Sequence, residues 1–266
     1  MKPFLKWAGG KYKIIEKVKD KLPQGTRLIE PFVGSGAVFM NTDYESYLLA
    51  DANHDLINVF SHVQKDGGEF IDYARQFFCT ENNQEAVFYE FRQTFNETND
   101  LTLKAALFIY LNRHCFNGLC RYNSKGGFNV PFGRYAMPIF PEKELNAFHI
   151  KSRGAIFQHA SFEQTMRQAV EGDVVYCDPP YVPLSVTSSF TSYTQDGFTQ
   201  QDQERLADLA NLLVKRGVCV VISNHDTLFT RQVYAAAQIN TFDVQRFISS
   251  KVTHRGKAAE LLAVFS

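Results

Sequence analysis

The stretch Val174-Val175-Tyr176-Cys177-Asp178-Pro179-Pro180-Tyr181 constrains the chain more than any other. It opens on an apolar, β-branched run, the pattern of a buried strand. Two consecutive prolines then end that strand, because neither has an N–H to donate to a sheet ladder. Asp178 is therefore expected at the carboxyl end of a strand, where open α/β sheets bind their ligands. The proline pair gives the turn carbonyl acceptors and few donors. A carboxylate, an acceptor-rich turn and the ring of Tyr181 together suit a flat heterocycle with an exocyclic amine. Asp178 and the Pro179 carbonyl can each accept an amino hydrogen while Tyr181 stacks on the ring face. A strand running into a rigid loop would share this pattern, so the motif needs support from the rest of the chain.

Leu28-Ile29-Glu30 reads as a first strand, followed by Pro31-Phe32-Val33-Gly34-Ser35-Gly36 and a helix-like Ala37-Val38-Phe39-Met40. Strand, Gly-x-Gly turn and helix make the nucleotide-binding entry of doubly wound folds. A pyrophosphate binder would carry a third glycine three residues on; position 39 is Phe, which favours a smaller nucleoside cofactor. Tyr47-Leu48-Leu49-Ala50 forms a second strand ending in Asp51, an acid placed to bond ribose hydroxyls or to cap the helix after Asp51-Ala52-Asn53. Upstream, Phe4 to Tyr12 is an aromatic-basic loop whose glycine pair permits close approach of a ligand to the backbone beside Trp7, the single tryptophan. Trp7 used purely for packing is the other option. A helix is expected from Lys13 to Lys21, stopped by Pro23.

From Asp55 to Tyr110 the pattern is helical, with Leu56, Val59, Phe60 and Val63 on one face and Phe77, Phe88, Phe91 and Phe95 as core aromatics. The segment from Asn112 to Tyr135 is different. It mixes turn formers, amides, aromatics and bases, and little of it promises a regular core, which points to a nucleic-acid-reading insertion. After Pro141 the α/β rhythm resumes with a strand at Ala155-Ile156-Phe157 and Ser161-Phe162 at its end. Beyond Asp178 come a loop of Ser, Thr and Tyr, a helix from Gln201 to Lys215, and a strand Val218–Ile222. Ser223-Asn224-His225-Asp226 are expected at that strand's carboxyl end, in pocket positions, although a lone His such as His225 is more often structural. Phe242–Ile248 and Leu261–Phe265 read as a closing pair of strands.

Charge supports the insertion reading through its distribution. The net charge is zero, with 28 Lys+Arg against 28 Asp+Glu. Yet Leu101 through Pro141 contains no acid and carries Lys104, Arg113, Arg121, Lys125 and Arg134. The first residues hold Lys2, Lys6, Lys11 and Lys13 unopposed, and Arg246, Lys251, Arg255 and Lys257 form a third basic segment. Such segregation suggests one face built for a polyanion. The five cysteines show no C-x-x-C spacing, which favours a reduced protein over a disulfide scaffold or zinc site, and no metal is expected. No secretory leader and no apolar run long enough to span a bilayer is apparent.

These motifs, in this order, closely resemble the Dam-type DNA adenine-N6 methyltransferases of the D12 class, along most of the chain from Phe4 onward. Phe4–Tyr12, Asn117–Asn123 and Asn129–Tyr135 match that family almost as continuous words. The resemblance implies a Rossmann-like doubly wound α/β sheet of the S-adenosylmethionine-dependent methyltransferase type. It places the catalytic domain at 1–54 and 150–266, and an inserted, mainly helical target-recognition domain at 55–149. It implies S-adenosylmethionine as cofactor, held by Trp7, Lys11, Phe32, Gly34, Gly36, Asp51, Ser161, Phe162 and Asp178. Asp178, Pro179 and Tyr181 would be catalytic. Double-stranded DNA is the implied partner, read at GATC. Lys6, Leu119, Arg121 and Pro131 would line the base pairs, with Arg113, Asn117, Asn123, Arg134 and Tyr135 as further contacts. The family usually has Tyr at the wedge beside the flipped adenine; this chain has Phe116, which keeps the ring and loses the hydroxyl. A monomer in a bacterial cytoplasm, encoded by the bacterium or a phage, completes the expectation. An RNA or other amine methyltransferase, and a nonenzymatic DNA-binding module, are the rival readings. The family-specific insertion argues against the first, and acids at successive strand ends against the second.

Overall fold

The computed structural model describes residues 1–183, 198–245 and 257–266, and its backbone contacts divide the chain into two compact units. The first comprises Met1–Ile15, Val33–Asp43 and Asp51–His159; the second comprises Glu16–Phe32, Tyr44–Ala50 and Ala160–Ser266. The loop of Ser, Thr and Tyr after Asp178 lies almost wholly outside the described residues, as do Arg246, Lys251 and Arg255 of the last basic segment.

The second unit carries six of the sheet's seven strands, in the order β2-β1-β4-β5-β7-β6. These are β1 (Arg27–Glu30), β2 (Ser46–Asp51), β4 (Asp173–Cys177), β5 (Cys219–His225), β6 (Gln238–Gln245) and β7 (Lys257–Phe265). β1 pairs in parallel with β2 and β4, and β4 with β5; β7 then pairs antiparallel with both β5 and β6. All five residues of β4 are buried, as a central parallel strand requires. Its Val175 and Cys177 pack in a core with Ile29, Leu48, Val220, Ile222, Leu261 and Phe265. Helices α1 (Ile15–Lys21), α6 (Phe162–Met166), α7 (Gln200–Val214) and α8 (Leu228–Val233) complete this side of the chain. α7 turns Leu206, Ala210 and Leu213, at helical spacing, into the same core.

The first unit is mainly helical, with α2 (His54–Arg75), α3 (Glu85–Glu97), α4 (Leu101–His114), α5 (Glu142–Ser152) and the strand β3 (Ala155–His159). Leu56, Val59, Phe60 and Val63 of α2 are fully buried, as their spacing predicts. Its core is aromatic. Phe60 and Phe148 lie 4.7 Å apart between ring centroids, and Phe4 meets both edge-on. Around Tyr110 a second cluster gathers Phe78, Phe88 and Phe91.

Three expectations change. No α-helix follows the glycine turn, only a 3-10 turn at Phe39–Asn41. The side chains of Asn41 and Thr42 donate to the carbonyls of Ala37 and Val38, and Thr42 turns extended, which stops propagation. Ser223, Asn224 and His225 lie within β5 and not beyond it, because pairing to Leu262, Leu261 and Glu260 of β7 prolongs the ladder. The segment after α4 also has more core than its composition promises. Cys115, Phe128 and Val130 are buried, joined by the bridges Cys115↔Phe132 and Tyr122↔Phe128.

Candidate active site

Asp178 follows the last residue of β4, where the proline pair ends the strand. Its Oδ1 accepts a hydrogen bond from Ser223 Oγ at 2.8 Å. The Pro180 carbonyl accepts from Gln203 Nε2 at 2.9 Å, and the Val182 amide donates to Asn224 Oδ1 at 3.0 Å. Among the described residues none donates to the Pro179 carbonyl, the acceptor that the motif offers an amine. Tyr181 stands edge-on to His225, with ring centroids 4.7 Å apart, and its hydroxyl donates to Glu260 Oε2 at 3.3 Å. Burial beside the Asp178 carboxylate pushes the phenols of Tyr176 and Tyr181 well up, so both stay protonated donors. Burial likewise pushes up the Cys177 thiol, which removes it as a nucleophile. In the same unit Phe32 stacks on Phe162 at 5.6 Å, and Phe198 packs edge-on to Phe32. The Ser161 hydroxyl caps α6 through Gln164, so its place in the structure is that of a helix cap.

The first unit supplies a separate acid. Asp51 Oδ2 accepts the Gly34 amide and Oδ1 the Asn53 amide, both at 3.0 Å. Burial raises its carboxyl pKa, and the two amides partly offset the rise. The cap of α2 is Asn53, whose side chain accepts from the Leu56 amide, so Asp51 is not spent on capping. Gly34 has φ +48°, and a Cβ there would lie 3.0 Å from Trp7 Nε1. The turn and the indole therefore meet backbone to ring, which only glycine permits. Lys11 is buried and donates to the Gly9 carbonyl at 2.7 Å, fixing the glycine pair after Trp7.

The basic segment of the same unit is held by side-chain amides in place of a sheet ladder. Asn112, itself buried, accepts from the Lys6 amide and donates to the Lys6 carbonyl, each at 2.8 Å. Asn96 bonds both backbone groups of Phe128, and Asn83 donates to the carbonyls of Tyr135 and Ala136. Asn123 accepts from the amides of Lys125 and Gly127, closing a turn.

On this frame Phe116 is 50% exposed, with its amide bonded to the Pro131 carbonyl. Asn117 takes φ 55°, and its amide donates to the Tyr135 hydroxyl at 2.8 Å. Lys6 Nζ lies 4.6 Å over the Tyr135 ring, and burial followed by the nearby Arg113 lowers its pKa. Lys6, Arg113 and Tyr135 line a surface cavity of about 260 Å³ with Met137, Pro138 and Ile139. The Arg113 guanidinium donates to the Phe4 carbonyl at 2.6 Å. Arg121 bonds Asn129 at both its side-chain and backbone oxygens, and Arg134 pairs with Glu85 on the surface. Leu119 is half-buried and Pro131 exposed. Among the described residues no group of three His, Cys, Asp or Glu side chains could hold a metal ion, and no helix is long and apolar enough to cross a membrane.

The model of the D12 class N6 adenine-specific DNA methyltransferases matches residues 7–248. The chain belongs to that family. It is 50% identical over 264 residues to the DNA adenine methylase of Vibrio cholerae serotype O1, covering 99% of this chain and 95% of the relative. The DNA adenine methylase of Escherichia coli K12 is 49% identical over 262 residues, covering 98% and 94%. That of Serratia marcescens is 51% identical over 263 residues, covering 98% and 97%. This D12 chain is an adenine-specific DNA methyltransferase: DNA is its substrate, and a methyl donor is required. Sequence reasoning placed Asn224 near the pocket but did not single out Gln203, Glu260 or Asn112 as supports. Gln203 lies in an amphipathic helix, where a buried amide leaves no periodic signal.

Proposed function

We propose that this methyltransferase moves the methyl group of S-adenosylmethionine to N6 of adenine in double-stranded GATC, after flipping the base from the helix. The observation that carries the reading is Asp178 at the end of a fully buried strand, followed by a carbonyl-rich turn and a protonated tyrosine. The first unit's residues fit the cofactor: Asp51 is a half-buried carboxylate suited to ribose hydroxyls, and Gly34 leaves the space against Trp7 that a Cβ would fill. Trp7, Lys11, Gly34, Gly36 and Asp51 would hold it there. When bound, it supplies an activated methyl on a sulfonium.

The protein then has to orient and not to activate. Asp178 and the Pro179 carbonyl accept the two N6 hydrogens, which pyramidalises the nitrogen and aims its lone pair at the methyl. Tyr181 stacks on the base. The bound cofactor would supply the methyl as its sulfur–carbon bond is exchanged for the N6–carbon bond, and the proton then shed by N6 would pass to water. No covalent enzyme intermediate is needed. Unstacking an adenine costs a few kcal/mol, offset by the Phe116 ring entering the stack and by Tyr181. Arg121 and Lys6 suit guanine edges, and Leu119 and Pro131 suit apolar contact with thymine methyls. The segment 55–149 acts as the recognition insertion, and the protein works as a monomer in a bacterial cytoplasm.

The test is transfer of a tritiated methyl group to duplexes differing only in a central GATC. Incorporation confined to the GATC duplex, recovered as N6-methyladenine, is the expected result. Equal incorporation into a scrambled duplex would overturn the recognition claim and keep the chemistry.

A further inference from the structure

We infer that Ser223 is a positioning residue for Asp178, fixed in turn by Tyr176, and that this hydroxyl chain sets which carboxylate oxygen faces the substrate amine. The inference rests on the function proposed above. Its origin is the register of the two central strands. β4 and β5 run in parallel with Cys177 opposite Ile222, so the next residues along, Asp178 and Ser223, are neighbours. Ser223 Oγ lies 2.8 Å from Asp178 Oδ1, 3.2 Å from the Tyr176 hydroxyl and 3.3 Å from the Cys177 carbonyl.

A serine hydroxyl has one hydrogen to give. The Tyr176 phenol remains protonated and donates to Ser223, which leaves Ser223 to donate onward. The Tyr181 hydroxyl also bonds Ser223 but donates to Glu260, and the Asp178 carboxylate at 2.8 Å is nearer than the Cys177 carbonyl at 3.3 Å, so the bond goes to Asp178. Tyr176 is 1% exposed and Ser223 0%, so water does not compete for either. A hydroxyl in such surroundings is costly unless bonded, and the strand residues before it, Val220, Val221 and Ile222, are buried and apolar. Packing alone would favour another apolar residue.

The consequence follows from carboxylate geometry. The terminal torsion of an aspartate is broad and two-fold, so an unrestrained carboxylate swings. A donor chain ending on Oδ1 stops that swing and keeps Oδ2 in one orientation toward the N6 hydrogen. Transfer to an in-line methyl depends steeply on such alignment.

The experiment compares wild type, Ser223→Ala, Ser223→Thr and Tyr176→Phe in single-turnover methylation of a GATC duplex at saturating S-adenosylmethionine and DNA. Affinities for both ligands and 2-aminopurine fluorescence at the target base are measured alongside. Ser223→Ala is expected to slow the transfer step about tenfold to a hundredfold with both affinities and base flipping retained. Ser223→Thr keeps a hydroxyl and is expected to recover most of the rate; Tyr176→Phe keeps Ser223 and is expected to lose several-fold. A wild-type rate in Ser223→Ala would overturn the inference, as would equal slowing in Ser223→Thr that still binds both ligands. Should Ser223→Ala fail to fold, Tyr176→Phe decides, and a wild-type rate there overturns it. Failure of the function itself shows in a different place, as absence of N6-methyladenine with the wild-type chain.

Discussion

Acidification from pH 7 to pH 5 is expected to weaken the first unit through one buried histidine. His114, at the end of α4, is 1% exposed, stacks on Tyr110 with ring centroids 3.9 Å apart, and bonds the Tyr110 carbonyl through Nδ1. Burial is the main cause that lowers its pKa from 6.5 to about 4; the Tyr110 carbonyl works against the shift, and Lys6 adds to it. The folded state therefore resists a proton that the unfolded chain accepts. Above about pH 6.5 both states are neutral and nothing is lost. Between that value and pH 4 the unfolded chain binds more protons, so stability falls with pH, and the loss is complete below about pH 4. The full difference is about 3 kcal/mol, and at pH 5 about 2 kcal/mol of it is already gone. The assay is urea unfolding at the two pH values, followed by Trp7 fluorescence, for wild type and His114→Phe. Phenylalanine keeps the stack and cannot titrate, and the remaining histidines and carboxylates are common to both proteins. The wild type should lose about 2 kcal/mol more than the variant between pH 7 and pH 5. Equal losses would refute the reasoning.

Three further outcomes are expected. Gly34→Ala forces a side chain to φ +48° with its Cβ 3.0 Å from Trp7 Nε1, and should weaken S-adenosylmethionine binding about tenfold by calorimetry; unchanged affinity would show that the turn does not serve the cofactor. Asp178→Ala should abolish methyl transfer while filter binding to a GATC duplex is largely kept, and a variant that still methylates would sink the assignment of Asp178 as the amine acceptor. Arg121→Ala should raise methylation at near-cognate sites relative to GATC by about tenfold or more, with a smaller change in affinity for unrelated DNA; an unchanged site preference would remove Arg121 from the reading set.

The sheet was legible because its strands obey short-range rules. The apolar run at Val174 and the double proline fix both the existence and the end of β4, and Asp51 closes β2 as its own pattern requires. What escaped depends on partners distant in sequence. β5 runs on through His225 because β7, at the other end of the described chain, continues to pair with it, a fact that no local pattern carries. The glycine turn looked like a helix start, but Asn41 and Thr42 bond backward to Ala37 and Val38 and end it early. Gln203 is a polar residue whose worth appears only once the Pro180 carbonyl lies beside it.

The two chemical tasks are made rigid by different means, and the difference follows from where each must sit. The proposed amine acceptor follows a parallel strand, where the ladder fixes the backbone as far as Cys177 and the carboxylate and the turn beyond need control. From buried positions Ser223 holds the Asp178 carboxylate, Gln203 donates to the Pro180 carbonyl and Asn224 accepts the Val182 amide, so side chain and turn backbone are both fixed. The basic segment pairs through the isolated bridges Cys115↔Phe132 and Tyr122↔Phe128 and not through a continuous ladder. Its peptide groups still need partners. Asn112, Asn96, Asn83 and Asn123 provide them, each amide offering an acceptor and two donors to a chain that follows no regular pattern. The abundance of asparagine around the basic segment, which composition alone would assign to base recognition, is therefore in large part structural: it holds the backbone at Lys6, Phe128 and Tyr135 in place.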